Sequence, residues 1–275
     1  MILLDGQVSN SPLLADRGLA YGDGLFETIA LRDGQLLCWA AHMARLKRGC
    51  AVLGLPLPDS AQLLREAEQV AAGQSRGIVK ILLTRGSGGR GYRPPQIVQV
   101  RRIISRHNWP ADLDDTSRPV TAWICRQRLG FNPQLAGIKH LNRLEQVLAS
   151  AEWPSIDYFE GLMLDLDGLV IAGIRSNVFV VHGRELHTPD LTRTGIAGIV
   201  RQAVIEATRR HGLEMRIGPL DRADLADADE MFLCNSVIGL RVVGRVDDAN
   251  DSLSLSSAGV AMALADGLRA ANLIP

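Results

Sequence analysis

The chain has 275 residues, and its 30 basic and 30 acidic side chains cancel to a formal net charge of zero. That length exceeds the usual size of a single core, so two packed lobes are expected. With no net charge and no run of lysines and arginines, nucleic acid is a poor partner, and a small-molecule substrate is expected instead. No uninterrupted apolar run approaches the roughly 20 residues of a membrane span. The first residues, MILLDGQVSNSP, lack the basic leader and apolar core of a signal peptide, so a cytoplasmic protein is expected. Cys38, Cys50, Cys125 and Cys234 lie far apart without a CxxC pair, which argues against zinc ribbons and fits a reducing compartment.

In chain order, Asp5-Gly6 and Asp33-Gly34 separate strand-like runs over 3–8 and 28–37, the turn chemistry of two tight hairpins. Amphipathic spacing predicts helices over 39–55 and 60–72, followed by strands over 77–84 and 96–104. Periodicity then fails over 105–118, where Pro110, Asp112, Asp114, Asp115 and Ser117 accumulate. Beyond it, strands at 120–126, 160–165, 177–181 and 230–234 alternate with helices at 140–152, 199–211 and 257–271. The expected class is α+β: a small N-terminal α+β domain (1–107), a linker (108–118) and a larger C-terminal α/β domain (119–275). No internal repeat or low-complexity tract is visible.

Lys139, one of three lysines, precedes a segment in which Leu141, Leu144, Val147 and Leu148 recur at helical spacing and read as a buried stripe. An amine leading out of apolar Leu135-Ala136-Gly137-Ile138 is expected in a pocket, where desolvation favours the neutral form that a Schiff-base lysine needs. Residues 86–91, GSGGRG, match GxGxxG. Pro94-Pro95 prevents the helix a dinucleotide site requires, so the segment reads either as a flexible hairpin tip or as a lid whose Arg85, Arg90 or Arg93 meets an anionic substrate. Glycines before the helix near Ile199 suit an anion at its N-terminus. The six histidines form no HExxH pair, so no metal is expected, and His140 reads as structural.

The segment 135–149, LAGIKHLNRLEQVLA, resembles the lysine segment of aminodeoxychorismate lyases, fold-type IV pyridoxal-phosphate enzymes of folate and 4-aminobenzoate biosynthesis. Residues 16–28 (DRGLAYGDGLFET), 42–46 (HMARL) and 85–92 (RGSGGRGY) agree in order and spacing. The first two of these three are shared with branched-chain and D-amino-acid aminotransferases; RGSGGRGY and KHLNRLEQ favour the lyase.

The resemblance implies a two-lobed fold-type IV (D-amino-acid aminotransferase-like) architecture. It further implies pyridoxal 5'-phosphate bound as a Schiff base to Lys139, and Arg45 on the cofactor phosphate. Ile196 and Ala197 would form one side of the phosphate cup, and Asn235 and Ser236 the other. Thr28 would lie near the reacting centre, although as a β-branched strand residue it equally reads as structural. Arg90 is the candidate for binding the substrate, and the family forms homodimers. The implied reaction splits 4-amino-4-deoxychorismate into 4-aminobenzoate and pyruvate. The alternatives are a D-amino-acid or branched-chain aminotransferase, or a non-catalytic homologue that only binds the cofactor. In one place the chain departs from the pattern. Ala172 stands where the family carries the glutamate that pairs with the pyridine nitrogen.

Overall fold

The computed structural model describes residues 2–8, 15–88, 91–116, 118–255 and 258–275. Its contacts form two compact units, Met1–Pro110 with Ile138–Arg143, and Ala111–Gly137 with Leu144–Pro275. The lysine segment therefore folds with the N-terminal unit, although it lies deep in the sequence of the second.

The first unit runs β1 (Ile2–Leu4), β2 (Gln7–Val8), α1 (Arg17–Tyr21), β3 (Gly24–Arg32), β4 (Gln35–Leu36), α2 (Trp39–Leu53), α3 (Ser60–Ala71), β5 (Arg76–Thr84) and β6 (Arg101–His107). The six strands form one antiparallel sheet in the order β2-β1-β6-β5-β3-β4. Both Asp-Gly pairs adopt left-handed conformations, with φ of 51° and 81° at Asp5 and Gly6 and 50° and 75° at Asp33 and Gly34, as a two-residue hairpin turn needs. Leu25, Glu27 and Ile29 of β3 are buried on the side of α2, while Phe26 and Thr28 point to the opposite face. The strand expected over 96–104 begins later, at Arg101, and continues to His107 into the stretch where periodicity fails, because Ser105 and His107 pair with Lys80 and Ile78.

The second unit runs β7 (Val120–Leu129), α4 (Leu144–Ser150), β8 (Glu160–Asp165), β9 (Val170–Gly173), β10 (Asn177–His182), β11 (Glu185–Pro189), α5 (Ile199–Thr208), β12 (Glu214–Gly218), α6 (Arg222–Ala226), β13 (Glu230–Asn235), β14 (Gly239–Asp247), β15 (Ser252–Ser254) and α7 (Gly259–Ala270). Its sheet follows β12-β11-β10-β13-β14-β7-β8-β9, with β15 on β14. The β11/β12, β14/β7 and β7/β8 pairs are parallel. Phe179 and Phe232 stack 5.0 Å apart in a core that Val204 of α5 and Leu264 and Leu268 of α7 complete. The expected helix over 199–211 ends as α5 at Thr208 and gives way to a 3-10 turn.

The helix expected from His140 is displaced and its stripe is not buried. It starts at Leu144, and Leu144, Val147 and Leu148 are 76, 58 and 57 % exposed, leaving Ala149 as its buried residue. The cause lies just upstream. Phe26 N–H donates to the Lys139 carbonyl (2.9 Å) and Leu141 N–H to the Gly24 carbonyl (3.0 Å), so the backbone of 139–141 is committed to β3 and cannot also form a helix. Leu141 occupies the space over Gly24, where an added Cβ would come within 2.8 Å of Leu141 Cδ1.

Candidate active site

In the first unit, the Lys139 amine lies 4.3 Å from the centre of the Phe26 ring, and the Lys80 amine lies 5.5 Å from the same ring. Thr28 pairs with Lys80 across β3 and β5, on the same face as Phe26. Lys80, missed in the sequence, is found only through this register. Burial pushes the Lys139 amine down to about 7. The Arg45 charge, with Arg143 and Lys80, pushes the same way, against the opposing pull of Glu27. At neutral pH a large share of the amine is therefore unprotonated and nucleophilic.

Arg45 sits on the inner side of α2 and is 5 % exposed, while Glu27 is 1 % exposed. The guanidinium donates to Glu27 through Nε (2.9 Å) and Nη2 (2.5 Å), and His42 Nδ1 lies 2.7 Å from the same carboxylate. Burial alone would raise the Glu27 pKa. The Arg45 charge and the bonds from Arg45 and His42 overcome it and hold the carboxyl at about 2. Arg45 is thus a buried, oriented cation whose Nε–Nη2 edge belongs to Glu27. His140 is neutral at physiological pH, lowered to about 4 by burial and by Arg143, whose Nη2 approaches His140 Nε2 at 2.6 Å.

In the second unit, Ile196 and Ala197 precede α5, whose N-cap is Gly198. Ala197 N–H donates to the Gly137 carbonyl (3.0 Å), and Gly137 N–H to the Gly195 carbonyl (2.9 Å). Asn177, at the start of β10, donates from Nδ2 to the Ile196 carbonyl (2.9 Å). It pairs in register with Cys234, so the turn before α5 and the Asn235-Ser236 turn after β13 come to one end of two neighbouring strands. The sequence marked Asn177 only as part of a strand, and its signal was an amide heading an apolar run. The Asn235 side chain is occupied by the fold: it donates to the Arg175 carbonyl (2.9 Å) and accepts from Val237 N–H (2.7 Å) and Ile238 N–H (2.8 Å). The Val237 and Ile238 N–H groups are thus spent within the turn, along with the Asn235 amide.

Ala172 packs in an apolar cluster with Cys125, Leu129, Ala149, Met163 and Ile171. Neither nearby aspartate replaces the missing carboxylate. Asp165 accepts the N–H groups of Asp167 and Leu169 in the β8–β9 turn, and Asp167 pairs with Arg193 (2.7 Å). The buried Glu160 accepts from Ser176 Oγ (2.7 Å) beneath Gly173, whereas Ala172 faces Met163 on the other side of the β8–β9 pair. Arg85 is removed as a substrate contact, since it is buried and donates to Asp23 (2.8 Å), the Leu53 carbonyl (2.7 Å) and the Gly54 carbonyl (3.2 Å). Arg93 is exposed, and Arg90 lies outside the described residues. Among the described residues, no group of three or more His, Cys, Asp or Glu side chains is placed to hold a metal ion.

A lysine whose pKa burial lowers to about 7 lies near a buried arginine in one unit, and a glycine-bearing turn precedes a helix in the other. The chain belongs to the amino-transferase class IV family, whose model matches residues 24–246, and like that family it depends on pyridoxal 5'-phosphate. It is 36% identical to the aminodeoxychorismate lyase of Vibrio harveyi over 90% of this chain and 91% of the relative. The crystal structure of 4-amino-4-deoxychorismate lyase from Pseudomonas aeruginosa matches with a TM-score of 0.90 and 41% identity, covering 98% of each chain. The branched-chain amino acid aminotransferase of Escherichia coli matches with a TM-score of 0.80 and 25% identity, covering 90% of this chain and 86% of that one.

Proposed function

We propose that this chain is a pyridoxal-phosphate-dependent carbon–oxygen lyase that converts 4-amino-4-deoxychorismate to 4-aminobenzoate and pyruvate. The observation that carries the reading is the Lys139 amine, held on Phe26 with its pKa at about 7, in a chain at 36 and 41% identity to two such lyases. The bound cofactor supplies an electron sink for a proton's loss from the carbon bearing nitrogen.

Lys139 anchors the cofactor and, once displaced by the substrate's amine, takes up that proton. The C–O bond to the neighbouring carbon then breaks, with its electrons leaving on enolpyruvate, which gains a proton and becomes pyruvate. Thr28, on the Phe26 face, orients or protonates that leaving group. Arg45, Ile196, Ala197, Asn235 and Ser236 form the phosphate-binding set, Asn235 by shaping its turn. Arg90 meets a substrate carboxylate, and Lys80 adds positive charge suited to a dianionic substrate. Aromatisation of the ring drives the elimination, so this reaction tolerates the alanine at 172 better than a transamination, which shuttles a proton between two carbons.

The purified protein is expected to release pyruvate and 4-aminobenzoate in equal amounts from aminodeoxychorismate. Amino transfer from D-alanine or branched-chain amino acids to 2-oxoglutarate is expected to stay at least about 100-fold slower, the scale of one missing acid–base contribution. Transamination without pyruvate release supports an aminotransferase instead. A cofactor-loaded protein silent in both assays supports a binding-only homologue.

A cytoplasmic homodimer fits the same reading. Leu144, Val147 and Leu148 form an exposed apolar stripe at i, i+3 and i+4 on α4, a face suited to a second copy of the chain. Light scattering is expected to give twice the 29.8 kDa chain mass, and Leu148→Asp is expected to shift the protein toward monomer. An unsubstituted protein that runs as a monomer at micromolar concentration removes the dimer.

A further inference from the structure

The described part of the glycine-rich segment after β5 is tied to one buried guanidinium. Arg17, at the start of α1, is 4 % exposed. Its Nη1 donates to the Gly91 carbonyl at 2.9 Å and to the Gly88 carbonyl at 3.4 Å, and its Nη2 donates to the Tyr92 carbonyl at 3.0 Å. Its Nε donates to Asp23 at 2.9 Å, and Asp23 also receives Arg85 at 2.8 Å. Arg17 N–H donates to the Gly86 carbonyl at 3.0 Å, and Asp16 accepts from Thr84 Oγ1 at 2.7 Å. Above this, the guanidinium carbon lies 4.7 Å from the Tyr21 ring centre, and Tyr21 meets Tyr92 edge-on at 5.5 Å.

A stretch with glycine at 86, 88, 89 and 91 has a large conformational entropy to lose, and nothing in its own sequence orders it. One planar cation with five donors ties down Gly88, Gly91 and Tyr92, since its fork reaches their three carbonyls and the Asp23 carboxylate together, which an ammonium cannot do. The three carbonyls bracket positions 89–90 from both sides. We propose that Arg17 is a positioning residue that holds the described residues on either side of 89–90, namely 86–88 and 91–92, in place before substrate binds. The consequence for the substrate rests on the lyase reading and on the loop facing the substrate. Ordering already present lowers the cost of binding rather than the barrier of the chemical step.

Hydrogen–deuterium exchange and steady-state kinetics on the cofactor-loaded Arg17→Gln and Arg17→Lys proteins test this. In Arg17→Gln, amides of residues 86–88 and 91–92 are expected to exchange at least about ten-fold faster, the scale of losing one bond to a charged donor, with β3 and β5 unchanged. KM for aminodeoxychorismate is expected to rise about ten-fold with kcat within about two-fold, and Arg17→Lys to fall between. In Arg17→Ala, added ethylguanidinium is expected to restore KM. Unchanged loop exchange, exchange that rises equally in β3 and β5, or a fall in kcat at constant KM overturns the proposal, as does a loop that loosens without any rise in KM. A failure of the lyase reading appears separately, as an unsubstituted protein that releases no pyruvate.

Discussion

Replacing Lys139 with alanine is expected to lower lyase turnover by at least about 10,000-fold, because in the proposed mechanism one side chain is both anchor and proton acceptor. Borohydride reduction of the loaded wild-type protein is expected to place the cofactor label on the peptide containing Lys139, and no such label should form in Lys139→Ala. In the wild type, the rate of attachment should rise as pH passes through about 7, where the amine loses its proton. The fold is expected to survive. A lysine whose pKa falls from 10.5 to about 7 on folding disfavours the native state fully below pH 7, and that penalty disappears as pH rises toward 10.5. The alanine variant should therefore melt no lower than wild type at neutral pH. A reduced label on Lys47 or Lys80 overturns the assignment.

Glu27→Leu is expected to destabilise the protein by about 3–5 kcal/mol, since it leaves the buried Arg45 charge without its carboxylate. Urea denaturation of the apoprotein measures this. Glu27→Leu combined with Arg45→Met should recover most of the loss, because replacing both members of a buried ion pair by apolar groups is commonly near neutral. The double variant is nevertheless expected to hold pyridoxal phosphate at least about ten-fold more weakly, as the proposed charge-assisted bond from Arg45 to phosphate would be gone. Unchanged cofactor affinity in that variant removes Arg45 from the phosphate site. The pair also sets an acid limit. The Glu27 pKa is depressed from 4.5 to about 2, so its contribution is present above pH 4.5 and is lost as pH falls toward 2.

The parts of the fold governed by neighbours in sequence were legible. Asp5-Gly6 and Asp33-Gly34 specify their hairpins through backbone conformations few other residue pairs adopt, and β8 falls on 160–165 as its apolar run indicates. Distant pairing was not legible. The helical spacing after Lys139 gave no sign that 139–141 would be claimed by Gly24 and Phe26, and an apolar i, i+3, i+4 pattern reads alike whether its own chain covers it or leaves it exposed. The site divided the same way. His42 and Arg45 stand one helical turn apart, a visible spacing, but Glu27 reaches them from a strand that only the fold brings beneath α2. Arg85 looked like a candidate for an anion because charge is all the sequence displays, whereas its two backbone carbonyls and Asp23 already satisfy it.

The return of Ile138–Arg143 to the first unit governs the order in which the protein can mature on the ribosome. A nascent chain that has emerged only as far as Pro110 carries all six strands of the first sheet, yet lacks the segment that bonds to Gly24 and Phe26. Lys139, the proposed nucleophile, arrives on that same segment. The first unit therefore cannot be completed, nor acquire its amine, until the opening strand of the second has been synthesised. A chain ending at position 110 keeps all six strands but leaves the Phe26 N–H and the Gly24 carbonyl without their partners at Lys139 and Leu141.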